Sequence, residues 1–147
     1  MLMRTKKTGT IMENEVELAL RKSGASVSLP RGDDDPYDLI ADVDGKLLRI
    51  QVKTARTRSK GESFSFCSTR SLYKAPGVYK HVEYEEGTVD YFATVWNGQV
   101  YLVPAEECGQ EKQLRIAPTR NGMSSYINWA KDYELEKVVD RLRAAEL

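Results

Sequence analysis

Two short runs, Pro36-Tyr37-Asp38-Leu39-Ile40 and Ile50-Gln51-Val52-Lys53-Thr54, flank the dipeptide Asp44-Gly45 and constrain this chain more than any other stretch. Asp-Gly between strand-like runs favours a tight turn, so the runs are expected to pair as an antiparallel hairpin. The second run alternates strictly. Leu48, Ile50 and Val52 fall on one face, and Arg49, Gln51 and Lys53 on the other. Such a strand buries its apolar face and presents an amide oxygen and an ammonium on the opposite one. Pairing lets Asp38, Gln51 and Lys53 converge. A carboxylate, a second oxygen ligand and a lysine make a hard-metal site with a charged helper.

A helix is expected before the hairpin, from about Thr10 to Ser23, stopped by Gly24, with residues 1–9 as a basic lead-in. Met12, Val16, Ala19 and Leu20 form its apolar stripe. At ~100° per residue, Glu13 lies within about 20° of Leu20, at the edge of that stripe. Glu15 points to water and Glu17 is intermediate. A glutamate leaning toward the core needs a partner or a metal. The other reading, a first-turn acid complementing the helix dipole, stays open at this point.

The rest of the chain reads as alternating strands followed by helices. Ala25 to Leu29 is a short strand, Pro30 to Pro36 an acidic loop, and Arg56 to Gly61 a basic polar turn. Ser63 to Cys67 is a strand with Phe64 and Phe66 on one side. Ser68 to Glu86 has no clear period and is expected to be a loop or irregular helix. Val89 to Trp96 and Gln99 to Val103 form a second hairpin across Asn97-Gly98. Leu114 to Ile116 is a further strand. Ser124 to Ala130 and Asp132 to Ala145 are expected to be helical, with Val138, Val139, Leu142 and Ala145 as the apolar face of the latter. The order implies a single domain spanning residues 1–147, of the α/β (α+β) class, with a central mixed β-sheet flanked by helices.

Composition excludes some classes. No run of ~18 apolar residues exists, so no membrane span is expected. The basic N-terminus lacks the apolar segment of a secretory signal. Cys67 and Cys108 are far apart and outside any CxxC spacing, which fits a reducing, cytoplasmic setting rather than a disulfide or zinc scaffold. Formal net charge is +0, yet between Lys46 and His81 nine lysines and arginines accompany one acid, Glu62. A basic segment beside the candidate site suits phosphate binding. A solvated basic loop is the alternative. Arg56, Arg58, Lys60, Arg70 and Lys74 are the candidate phosphate contacts. His81 has no partner visible in the sequence and is read as a loop residue.

Glu13, then Asp38 in Pro36-Tyr37-Asp38-Leu39-Ile40, then Gln51-Val52-Lys53, in that order on helix, strand and strand, resembles the PD-(D/E)XK nuclease superfamily. Within it the chain is most similar to the small group I intron homing endonucleases with a glutamine-x-lysine motif. The resemblance continues weakly through Val89-Asp90-Tyr91-Phe92, Val100-Tyr101-Leu102-Val103-Pro104 and the Leu114-to-Tyr133 region. It implies a restriction-endonuclease-like core and a Mg²⁺-dependent DNA endonuclease of a homing or related site-specific type, with Mn²⁺ able to substitute. Catalytic residues would be Glu13, Asp38, Gln51 and Lys53. Asp38, the Gln51 side-chain oxygen, the Val52 carbonyl and Glu13 would hold the metal, and Lys53 would orient the attacking water. Gln51 stands where most of the superfamily has an acid, so the site carries less charge and is expected to bind the ion more weakly. The partner implied is double-stranded DNA, cut by a homodimer or homotetramer. A Holliday-junction resolvase-like nuclease, and a non-catalytic DNA-binding protein on the same fold, are the other readings.

Overall fold

Helix α1 (Thr5–Lys22) opens the chain in a computed structural model that describes residues 5–32, 34–85, 87–122 and 126–145. Its end is set by Gly24 at φ +90, which adopts the left-handed conformation. The Gly24 N–H donates to the Arg21 carbonyl at 3.0 Å and the Ala25 N–H to the Leu20 carbonyl at 3.0 Å, a Schellman closure. The start differs from expectation. Residues 5–9 are already helical, because the Thr10 hydroxyl donates to the Lys6 carbonyl at 3.0 Å instead of capping.

Strands β1 (Ser26–Ser28), β2 (Leu39–Val43) and β3 (Lys46–Val52) come next. After them run β4 (Arg56–Arg58), β5 (Ser63–Cys67), β6 (Thr69–Ala75) and β7 (Val78–Glu83). Strands β8 (Tyr91–Trp96), β9 (Gln99–Pro104) and β10 (Glu111–Arg115) precede the closing helix α2 (Leu135–Ala145). The central sheet is mixed, in the order β1-β2-β3-β8-β9, with β3 and β8 parallel and its other pairs antiparallel. Both expected hairpins are present, and both turns use two residues at positive φ: Asp44 and Gly45, Asn97 and Gly98. The Asp42 carboxylate steadies the first by accepting from the Gly45 N–H at 2.7 Å.

Three layers result. Val16 and Leu20 of α1 and Leu135, Val138 and Val139 of α2 pack on one face of the central sheet, against Leu39, Ala41, Leu48, Ile50 and Leu102. Fully burying each of the larger of these side chains is worth about 1.5–3 kcal/mol. The opposite face, carrying Phe92, Tyr101 and Val103, is covered by a second sheet of order β10-β5-β4, through Phe64, Phe66 and Leu114. The mixed sheet with its two helices is thus as the sequence implied, with both helices on one side.

Three further segments depart from the sequence reading. Arg56 to Arg58 is a strand, β4, and only Ser59–Gly61 turns, as a short 3-10 helix. Within Ser68 to Glu86, a two-stranded antiparallel ribbon of β6 and β7 replaces the loop or irregular helix. The helix expected at Ser124 to Ala130 falls partly on residues 124 and 125, outside the described residues. Its remainder is not α-helical: Trp129 forms a parallel bridge with Arg115, and a 3-10 turn spans Ala130–Tyr133 before α2 begins at Leu135.

The parallel junction of β3 and β8 is pinned by Arg49 and Asp90. Asp90 Oδ2 accepts from the Arg49 backbone N–H at 2.8 Å and from Nε at 3.1 Å, while Oδ1 accepts from Nη2 at 3.1 Å. Hydrogen bonds from Arg49 hold the Asp90 carboxyl below the usual carboxylate range. The pair is about a third exposed, which discounts its value to about 1 kcal/mol. Asp90→Asn is therefore expected to lower Tm by about 2–4 °C at neutral pH. Because the folded pKa is depressed, this contribution is present above about pH 4 and is lost as pH falls through the lowered value. Paired melting curves of the two proteins from pH 7 to pH 3 check it. A difference that stays constant across that range removes the ion pair as the cause.

Candidate active site

The first hairpin places Asp38 immediately before β2. Its backbone N–H donates to the Ile50 carbonyl at 2.8 Å, and its carboxylate Oδ2 accepts from the Val52 N–H at 2.9 Å. The pairing of Leu39 with Ile50 puts Asp38 beside Gln51 across the hairpin. Gln51 is half-buried, and among the described residues its side-chain amide has no hydrogen-bond partner. The Asp38 carboxylate is thus anchored through one oxygen, leaving Oδ1 outside that hydrogen bond.

Helix α1 supplies Glu13. Met12, Val16 and Leu20 are buried, Glu15 is exposed and paired with nothing among the described residues, and Glu17 pairs with Arg21 at 3.0 Å. Glu13 is half-buried at the stripe's edge. It shares a cleft of about 450 Å³ with Asp38, walled also by Asn14, Asp35 and Tyr37. Burial pushes the Glu13 carboxyl up, and the Asp38 charge pushes it further. Burial also raises Asp38, against the lowering effects of the Val52 N–H and the Lys53 ammonium. Two half-buried carboxylates line one cleft and the charge of one acts on the other, an arrangement that favours a proton or a hard cation at the site.

Lys53 follows β3 directly. Its backbone N–H donates to the Ala93 carbonyl at 2.8 Å, and its own carbonyl accepts from the Thr94 hydroxyl at 2.7 Å. The ammonium donates to the Thr69 carbonyl at 2.8 Å and lies 4.9 Å from the centre of the Tyr84 ring. Burial lowers the Lys53 pKa, while negative charge on Cys67 and Asp38 raises it. Thr69 and Tyr84 escaped the sequence reading. A main-chain carbonyl leaves no mark on residue type, and Tyr84 sits in the segment without period.

Among the described residues, no three His, Cys, Asp or Glu side chains converge. Asp38 and Glu13 are two acids, and the neighbour of Asp38 across the hairpin is an amide, Gln51. Glu13 and Asp38 therefore meet in one cleft, Gln51 lies beside Asp38, and Lys53 extends from the same strand end toward the root of the β6–β7 ribbon. Oxygen donors of this kind suit a small hard cation, with less charge than three carboxylates would supply.

The basic residues divide. Arg56, Lys60, Arg70 and Lys74 are exposed and have no ion-pair partner among the described residues. Arg58 is held instead, donating to Ser65 Oγ at 2.9 Å and to Glu111 at 2.9 Å. Arg49, also in the basic stretch, is engaged by Asp90. His81 is exposed on β7. Among the described residues no helix is long and apolar enough to cross a membrane.

A family model described as PD-(D/E)XK endonuclease matches residues 3–136. Among solved structures, the chain is similar to a bacterial homing endonuclease, with 22% sequence identity over 99% of this chain and 99% of that one, and a TM-score of 0.76. No curated protein matches the sequence.

Proposed function

The chain belongs to the PD-(D/E)XK endonuclease family, and from that premise we propose that it is a divalent-metal-dependent endonuclease that hydrolyses phosphodiester bonds in double-stranded DNA. The observation that carries the proposal is the Glu13–Asp38 pair. Both carboxyls are half-buried and line one cleft, and burial raises both above the ordinary carboxylate range, an arrangement that a bound cation would relieve. Asp38, Glu13, the Gln51 side-chain oxygen and the Val52 carbonyl would hold the ion. Bound there, Mg²⁺, with Mn²⁺ as substitute, would lower the pKa of a nearby water and offset phosphate charge.

The protein's own groups supply the rest. The Val52 N–H fixes the Asp38 carboxylate, so its remaining lone pairs keep one direction. Lys53 has three N–H donors, of which one is used by the Thr69 carbonyl. The others are available to orient an attacking water and to bind a phosphate oxygen as negative charge builds in the transition state. Exposed Arg56, Lys60, Arg70 and Lys74 hold neighbouring phosphates. The β6–β7 ribbon is of a size that a major groove admits. A homing-type, site-specific activity is favoured by the likeness to a bacterial homing endonuclease and by glutamine at position 51. Cutting both strands with one site per chain calls for a symmetric homodimer or homotetramer.

The test is incubation of the purified protein with Mg²⁺ or Mn²⁺ and three DNAs: plasmid, single strand and four-way junction. Plasmid linearisation that is abolished by a chelator is expected. Exclusive cutting of the junction makes the protein a resolvase, and binding without cutting makes it a DNA-binding protein on a nuclease fold.

The phosphate contacts are tested separately by Lys74→Ala. It is expected to weaken binding of all sequences alike and to reduce the salt slope of log K by about one unit. Arg58→Ala should change the slope less, since Glu111 already occupies that guanidinium. Equal affinity and slope for Lys74→Ala and wild type at several salt concentrations would remove Lys74 from the interface.

A further inference from the structure

Both contacts on the Lys53 ammonium come from the root of one element. Thr69 and Glu83 are paired across the ribbon's base, and Tyr84 follows Glu83 directly. The Thr69 carbonyl accepts from Nζ at 2.8 Å, and the Tyr84 ring lies under the ammonium at 4.9 Å. Tyr84 is itself fixed: its ring meets Phe92 edge-on at 5.4 Å, and Phe92 is a core side chain of β8 that is 3% exposed. The electron-rich face of an aromatic ring attracts a cation, more so where water is restricted. Four flexible carbons otherwise leave a lysine ammonium many positions, so a ring on one side and a carbonyl on another select among them.

Beyond its root the ribbon is open to solvent. Arg70 and Lys74 on β6 and Lys80 on β7 are exposed. The segment that offers cations to DNA is therefore continuous with the two groups that hold the lysine.

Resting on the nuclease reading above, we infer that Tyr84 is a positioning residue that holds the Lys53 ammonium in place for the reacting phosphate and ties it to the DNA-facing ribbon. A purely structural Tyr84 would fill space against Phe92 and leave the lysine's chemistry alone. The two roles differ in what a leucine does. Leucine keeps the site dry and packed but removes the ring face, so the ammonium form of Lys53 loses an attraction. The ammonium is then free to leave the position that the ring and the Thr69 carbonyl select.

The experiment compares wild type, Tyr84→Leu and Tyr84→Phe. Cleavage is followed over a range of DNA concentrations at saturating Mg²⁺, and the order of the Lys53 side chain is read in the metal-free protein at one pH by ¹³C NMR relaxation at Cε. Tyr84→Leu is expected to lower kcat about ten-fold with KM for DNA unchanged, and to lower the order at Lys53 Cε. Tyr84→Phe retains the ring and should restore both. Melting curves confirm that each variant is folded. If folded Tyr84→Leu cleaves like wild type, or leaves Lys53 Cε as ordered as in wild type, the inference is overturned. It is also overturned if Tyr84→Phe loses as much as Tyr84→Leu, because the hydroxyl would then carry the effect. If wild type itself cuts no DNA, the nuclease reading fails, and the order at Lys53 Cε still decides whether the Tyr84 ring holds Lys53.

Discussion

Asp38→Asn is expected to abolish cleavage, by at least about 10³-fold, while raising the Tm of the metal-free protein by about 2–4 °C. The two effects have one origin. Burial leaves the Asp38 carboxyl raised despite the lowering effects of the Val52 N–H and the Lys53 ammonium, and the Asp38 charge helps raise Glu13. A carboxyl with a raised folded pKa binds protons more readily folded than unfolded. Stability therefore falls as pH rises from the ordinary carboxylate range through the raised value, and at neutral pH the ionised pair weakens the fold. Asparagine keeps an oxygen to accept from the Val52 N–H and removes the charge. It would also remove a charged ligand from the proposed metal site, so a cation there would gain little from the variant. Wild type should consequently be stabilised by Mg²⁺ more than Asp38→Asn is. Melting curves with and without Mg²⁺, run beside cleavage assays, check both halves. Undiminished cleavage by the variant would remove Asp38 from the site. A lower metal-free Tm would mean that the carboxylate supports the fold rather than straining it.

Lys53→Met is expected to reduce kcat by about 10²–10³-fold, the scale of losing one aligned donor in a dry site, with DNA affinity within a few-fold of wild type. Methionine keeps the length and packing of the buried stem. Fold stability should change little. The variant loses one hydrogen bond to the Thr69 carbonyl, worth about 1 kcal/mol, and also the cost of holding an ammonium away from water. The lowered pKa gives this prediction a second measurement. Lys53 in the folded protein releases its proton at a lower pH than an ordinary lysine. Wild-type cleavage should therefore decline on the alkaline side before the usual lysine range is reached, and Lys53→Met should lack that limb. A pH–rate profile of each protein resolves it. Equal rates at every pH would make Lys53 a bystander.

The placement of the candidate residues was largely legible in the sequence because it rests on local chemistry. Asp44-Gly45 dictated a two-residue turn, the turn fixed the register, and the register put Asp38 beside Gln51. Helical periodicity alone separated Glu13 from Glu15 correctly. The β6–β7 ribbon was not legible for a physical reason. A strand reveals itself by burying alternate residues, and on β7 every residue but Val82 is exposed, so no alternation was written. The second sheet hid half its character for the opposite reason. Ser63 and Ser65 are as buried as Phe64 and Phe66, with Ser63 accepting from the Gln113 amide at 2.8 Å and Ser65 from Arg58. Burial on both faces replaced the polar side that alternation implies. The start of α1 was misread because Thr10, a good cap by type, bonds backwards along the helix.

The pairing of β3 with β8 also orders the assembly of the site in time. Asp38 and Val52 lie 14 residues apart in the chain, and their contact closes with the local hairpin. Arg49 and Asp90 lie 41 residues apart, and the anchor of Lys53 on Ala93 belongs to that same long closure. Longer closures carry more entropy cost, and non-local strand pairing is slow. The Asp38–Gln51 pair is therefore expected to come together on the timescale of a hairpin, whereas the main chain of Lys53 is fixed only when β8 pairs with β3. A chain in which β8 has not docked is expected to hold that pair without the anchored Lys53 backbone. The topology thus makes one long-range strand pairing the step that completes the Lys53 end of the candidate site.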